Sequence, residues 1–143
     1  MRISRSKMPR RMRLLLLTLT IVGLAGCGEP ATVITGVVTL DGQPVPRATL
    51  EFFPVSGRGK VSFTKSDEQG RYLADVSPTK QAVVITAMKV VGKAKNPMAP
   101  DGPLVDDLES ILPERFGYRD KTPLTADPVA GQTTTIDFAL TSK

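Results

Sequence analysis

Four carboxylates crowd one stretch of this chain: Asp101, Asp106, Asp107 and Glu109. Two carboxyl groups facing each other across a cleft could hydrolyse a glycosidic bond. Converging oxygens could instead gather calcium, which takes about six to eight of them. No D-x-D-x-D-G loop accompanies these acids, so a solvated acidic face is the simpler reading. Five cations nearby, Lys93, Lys95, Arg115, Arg119 and Lys121, could touch anionic headgroups. Scattered surface cations are again the plainer reading. The chain has no histidine and one cysteine. Histidine-dependent triads are therefore excluded, as are zinc sites built on histidine or several thiolates. A single cysteine cannot close an internal disulfide, so the fold must stand on its apolar core. There is no tryptophan, and the few other aromatics that might platform a sugar are Phe52, Phe53, Phe63, Tyr72, Phe116, Tyr118 and Phe138. Nothing calls for a metal or a cofactor, and the chain reads as a non-enzyme.

The one cysteine sits where it can be modified. Met1 to Arg13 carries six basic residues and no acid, and Leu14 to Leu24 is a short apolar run. A spanning helix needs about 20 apolar residues. The run is too short for that and suits the core of a signal peptide. It ends in Leu24-Ala25-Gly26-Cys27, which resembles the lipobox of bacterial lipoproteins. The resemblance implies a signal peptide over 1–26, cleavage between Gly26 and Cys27, and a diacylglyceryl thioether on Cys27. The competing reading is an ordinary signal peptide with a coincidental cysteine. Arg10-Arg11 lacks the rest of a twin-arginine pattern, so general secretion is the expected route. Two or more acyl chains anchor stably where one does not. Residues 27–31 then form a short tether, and these five residues, extended, reach roughly 15–18 Å. The expectation is a module held close to a membrane in the cell envelope, facing the periplasm or the exterior.

The formal charge of +5 does not point to nucleic acid. Six of the 19 basic residues precede Cys27, leaving 13 against 14 acids in the rest. The part that folds has no net charge to attract phosphate.

Residues 32–143 read as strands between turn signals. Thr32 to Leu40 alternates, with Ile34, Gly36, Val38 and Leu40 on one face. Asp41-Gly42 is a hairpin signal because both residues tolerate positive φ. Pro44 and Pro46 follow. Arg47 to Phe53 puts Ala48, Leu50 and Phe52 on one face. Lys60 to Lys65 should turn Val61 and Phe63 inward. Asp67 to Gly70 is a second turn, with Asp67 capping the backbone and Gly70 left-handed. Arg71 to Val76 turns Tyr72, Ala74 and Val76 inward. Gln81 to Val90 is the most apolar strand and is expected to be central. Thr133 to Leu140 points Ile136, Phe138 and Leu140 inward. Those six strands, with a short seventh at an edge over Leu124 to Asp127, predict an all-β antiparallel sandwich. A long loop at 91–121 interrupts it. Lys93 to Pro103 should be irregular, and Leu104, Leu108, Ile111 and Leu112 recur at helical spacing between Pro103 and Pro113. A helical turn pinned to the sandwich is expected there, with a partner-binding helix as the alternative.

Val37-Val38-Thr39-Leu40-Asp41-Gly42-Gln43-Pro44-Val45-Pro46-Arg47-Ala48-Thr49-Leu50-Glu51-Phe52 resembles the opening of carboxypeptidase regulatory-like domains. Ser66-Asp67-Glu68-Gln69-Gly70-Arg71-Tyr72 is similar to their second signature hairpin. Ile111 to Phe116, Thr122 to Ala126 and Ile136 to Leu140 resemble the ending of small bacterial lipoproteins built on such a domain. The resemblance implies a transthyretin-like, seven-stranded Greek-key sandwich, with Asp41, Gly42, Pro44, Asp67 and Gly70 as structural turn residues. In enzymes that carry the domain it is an accessory outside the active site, and no catalytic domain is expected beside it here. Purine-pathway hydrolases of the same architecture rely on histidines that this chain lacks. The expected function is a lipid-anchored envelope module that binds or scaffolds another envelope protein. The alternatives are a carbohydrate-binding module and, behind it, a carboxylate-dependent hydrolase.

Overall fold

The computed structural model describes residues 30–143, and the signal peptide expected over 1–26, with its cleavage point at Gly26 and Cys27, lies outside them. The described chain is all-β, with a single 3-10 turn at Glu114–Phe116. The first sheet is organised around β1 (Val33–Leu40). On one side β1 pairs antiparallel with β5 (Arg71–Asp75), and beyond it with the short β2 (Gln43–Pro44). On its other side it pairs with β10 (Thr133–Thr135) and β11 (Phe138–Leu140). Those two pairings are parallel, a departure from the fully antiparallel sheet that the strand spacing predicts. The connection that permits them is almost the whole chain, since Val33 lies opposite Thr133. The second sheet runs β4 (Ser62–Lys65), β3 (Thr49–Pro54), β6 (Gln81–Thr86) and β9 (Thr125–Ala126), all antiparallel. The expected short edge strand is therefore present as β9.

Both sheets feed one core. Ile34, Val38, Tyr72, Phe138 and Leu140 come from the first, and Leu50, Phe52, Val83 and Ile85 from the second. Alternation placed most of these residues correctly, but β4 is turned over. Phe63 is 64% exposed and Val61 is exposed too, while Ser62 and Ser66 are buried. Hydroxyl chemistry decides the orientation. Ser62 Oγ donates to the Asp75 carbonyl at 2.6 Å and Thr64 Oγ1 to that of Leu73 at 2.8 Å, which sews β4 to β5 across the seam between the sheets. Ser66 Oγ donates to the Val45 carbonyl and accepts from the Ala48 amide. Buried hydroxyls need such partners, whereas an exposed Phe at a sheet edge forfeits only area.

Close backbone contacts fix β1. The Ile136 amide donates to the Thr35 carbonyl at 2.8 Å, and Asp137 Oδ1 accepts from the Val37 amide at 2.8 Å. Tyr72 Oη donates to the Ile136 carbonyl at 2.6 Å. Burial, and secondarily the negative charge of Asp137, push the Tyr72 phenol far above its ordinary range, so it stays a donor. That same carbonyl lies over Gly36, where a side chain would have no room.

Candidate functional site

The residues singled out as turn formers lie at two reversals of the chain. Asp41 and Gly42 both take positive φ, at 49° and 83°, and close the β1–β2 hairpin that Pro44 joins opposite Thr39. Asp41 Oδ1 also accepts from the Ser142 amide, and hydrogen bonding from Ser142, its side chain before its backbone, lowers the carboxyl's pKa. Gly70 has φ of 76° and packs against the Val38 carbonyl. Asp67 holds the β4–β5 turn. Its Oδ1 accepts from the Gln69 amide at 2.9 Å and the Arg71 amide at 2.8 Å, and its Oδ2 accepts from Arg71 Nε at 2.9 Å.

Those bonds, led by the one from the Arg71 backbone, hold the Asp67 carboxyl below its usual value of 3.8. A depressed folded pKa means the unfolded chain takes up the proton first as pH falls. The stabilisation is complete above the unfolded pKa and disappears as pH drops through the folded one. Asp67→Asn should therefore be less stable than wild type at pH 6, with the gap closing below about pH 4. Urea unfolding at several pH values measures it. A gap that stays constant from pH 6 to pH 3 would contradict the assignment.

The region foreseen as a loop at 91–121 holds the feature that departs most from a plain sandwich. The apolar run that starts at Gln81 splits at the buried Ala87. Beyond it, β7 (Met88–Ala94) pairs antiparallel with β8 (Val105–Ser110) in a two-stranded sheet of their own. Lys93 to Pro103 is thus part strand and part an ordered tip of two successive turns, closed by Ala99 N to Asn96 O and Gly102 N to Ala99 O. The helical spacing of Leu104, Leu108, Ile111 and Leu112 does not make a helix. Leu104 and Leu108 are exposed, Leu108 on a strand opposite Val90, whereas Ile111 and Leu112 return to the core. A β-branched partner strand, with prolines at both flanks, overrides the helical period.

All residues of β7 and β8 are exposed except the half-buried Ala94. Met88, Val90 and Leu108 stand out among them, each more than half exposed, and Met98 at the tip is 96% exposed. The hairpin springs from one end of the sandwich. Its base is narrow, because Ile111 N donates to the Ala87 carbonyl at 3.0 Å. The chain enters at the other end. Thr32 bonds Val76 and Gly131 there, and Ser77 to Gln81 close the same end of the second sheet. From Gln81, β6 runs the length of the sandwich to Thr86, beside Thr49. The hairpin and the first described residue, Pro30, thus lie at opposite ends, separated by the eight residues of β1, roughly 26 Å.

The carboxylates singled out in the sequence do not converge. Asp106 pairs with Lys93, Glu109 pairs with Lys89 at 3.2 Å, and Asp107 lies opposite Gly92. Among the described residues no group of three or more potential metal ligands comes together. The cations are dispersed as well. Arg119 lies 5.0 Å over the Phe53 ring, Arg115 lies 4.6 Å over Phe116, and Lys121 reaches Glu114 and the Tyr118 ring. The aromatics divide between the two sides of the sheets. Phe52, Tyr72, Phe116 and Phe138 are buried, Phe53 is half-buried, and Phe63 and Tyr118 are exposed. Among the described residues no helix is long and apolar enough to cross a membrane. Comparison with protein-family profiles, characterised proteins and solved structures found no match.

Proposed function

We propose that this protein is a non-enzymatic envelope module, anchored by a lipid on Cys27, that docks a partner through the β7–β8 hairpin. The observation that carries the reading is the hairpin itself. It is a two-stranded ribbon exposed along nearly its whole length. Isolated hairpins are marginal in water. One that keeps Met88, Val90 and Leu108 in solvent gains from a partner that covers them. Its place at the end opposite Pro30 suits an anchored protein, because the anchor holds one end at the bilayer and presents the other away from it.

The architecture proposed with this function is the seven-stranded Greek key of the carboxypeptidase regulatory-like domains. Its support is the strand inventory. With β10 and β11 taken as one strand interrupted at Ile136-Asp137, and with β2 and the hairpin set aside, seven strands remain in the two sheets.

The test is in-cell crosslinking and recovery of the tagged full chain, beside Cys27→Ala and beside a variant lacking 88–110. The adjacent Ala87 and Ile111 allow a two-residue turn to replace the hairpin. The excised protein should keep its cooperative unfolding and lose recovery of the partner. Cys27→Ala should lose membrane retention and, with it, the partner. Unchanged recovery without the hairpin would end this reading. Recovery of polysaccharide in place of protein would move the function to carbohydrate binding, where the exposed Phe63 is the residue to remove first.

A further inference from the structure

We propose that the hairpin's partner is a second copy of this chain, joined edge to edge so that β7 of one molecule lies against β8 of the next. The inference rests on the docking role just assigned and names its occupant. The argument starts from the free edges. Within each molecule β7 and β8 pair only with each other, so the outer edge of each strand is unpaired. Open edges are usually blunted by proline, brevity, a bulge or charged side chains; β7 carries an irregularity between Val90 and Gly92, and both strands carry charges. Neither strand contains proline, and they run to seven and six residues.

Charge then selects the pairing. β7 carries Lys89 and Lys93 and no acid, and β8 carries Asp106, Asp107 and Glu109 and no base. Setting β8 against another β8 would oppose acids to acids, and β7 against β7 would oppose lysines. Like charges across strands repel and opposite charges attract. Only the mixed contact is complementary. Asp107 strengthens the case, because it faces Gly92 within its own hairpin and has no lysine opposite it there. Pairing β7 with the next β8 in the antiparallel sense also keeps every molecule pointing the same way. The tethers then all leave on one side, as neighbours on a single membrane require. Met88, Val90 and Leu108 would meet their counterparts along the lengthened ribbon. Such a contact is head-to-tail, so it builds rows rather than closed pairs.

A charge-swapped chain tests this without disturbing the hairpin's own complementarity: Lys89→Glu, Lys93→Glu, Asp106→Lys and Glu109→Lys together. Full-length copies with two different tags are co-expressed, with a photo-crosslinking residue at Val91. Wild type should crosslink to wild type, and swapped chain to swapped chain. Mixed pairs should fall about tenfold, as two repulsive cross-strand contacts demand. Mixed pairs as frequent as matched ones would overturn the proposal. Crosslinks solely to a different protein would also overturn it while leaving the docking role intact. A complete absence of crosslinks would remove both.

Discussion

Adding one methyl group at Gly36 should cost this domain about 3 kcal/mol or more, at the upper end of what overpacking does. An ideal Cβ there would lie 1.9 Å from the Ile136 carbonyl oxygen and 2.6 Å from its carbon. These are backbone atoms, so no rotamer change can make room. Nor can Ile136 retreat freely. Its amide is bonded to Thr35, its carbonyl receives the Tyr72 hydroxyl, and the next residue caps the Val37 amide. Moving it would strip the bonds that hold β10 and β11 to β1. Small domains are stable by only about 5–15 kcal/mol, so Gly36→Ala should lower the urea midpoint steeply and leave a visible unfolded fraction at 37 °C. Gly92→Ala is the matched control, since a Cβ at that position meets nothing within 4 Å. A Gly36→Ala protein as stable as the Gly92→Ala protein would refute the contact.

The second large effect separates two adjacent phenylalanines. Phe52 is fully buried, with its ring 6.1 Å from that of Tyr72, which in turn stacks 5.7 Å from Phe138. Truncating such a residue typically costs about 3–5 kcal/mol, through lost burial and the cavity left behind. Phe53 points to the other side of the same strand and is half-buried under the Arg119 guanidinium. Its truncation should cost no more than about 1.5 kcal/mol, part of it the cation–π contact. Urea unfolding of Phe52→Ala and Phe53→Ala measures both. Equal losses would mean that the assigned faces of β3 are wrong.

Alternation and turn chemistry made much of the sandwich legible. Ile34, Val38, Leu50, Phe52, Tyr72 and Ala74 are buried where a period of two places them. Asp41-Gly42 and Asp67 to Gly70 turn where their conformational tolerance says they should. What stayed hidden depends on partners distant in the chain. The inward side of β4 was chosen by Ser62 and Thr64 finding carbonyls on β5, which no hydrophobic pattern encodes. Leu104 and Leu108 repeat at a helical interval, but Leu104 falls in the tip, and the strand of Leu108 is fixed by pairing with β7 across ten intervening residues. Gly36 reads as one member of an alternating strand, and its indispensability arises from a carbonyl a hundred residues away. The hairpin was legible only as an anomaly in length, because a long unexplained loop signals that something specific occupies it. The proposed lipid anchor is the reverse case, since its support is wholly a short local string ending in Cys27.

The parallel pairing of β1 with the C-terminal strands also governs when this protein can fold. A ribosome delivers the N-terminus first, so β1 emerges early and its neighbours Thr133 to Leu140 almost last. Until then the strand that organises the first sheet is open along one side, and no partial chain can hold the Ile136 carbonyl over Gly36. Contacts this distant in sequence slow folding, since the loop must close before they contribute. The export proposed for this chain would benefit from that delay. The first sheet closes only after Thr133 to Leu140 have been made.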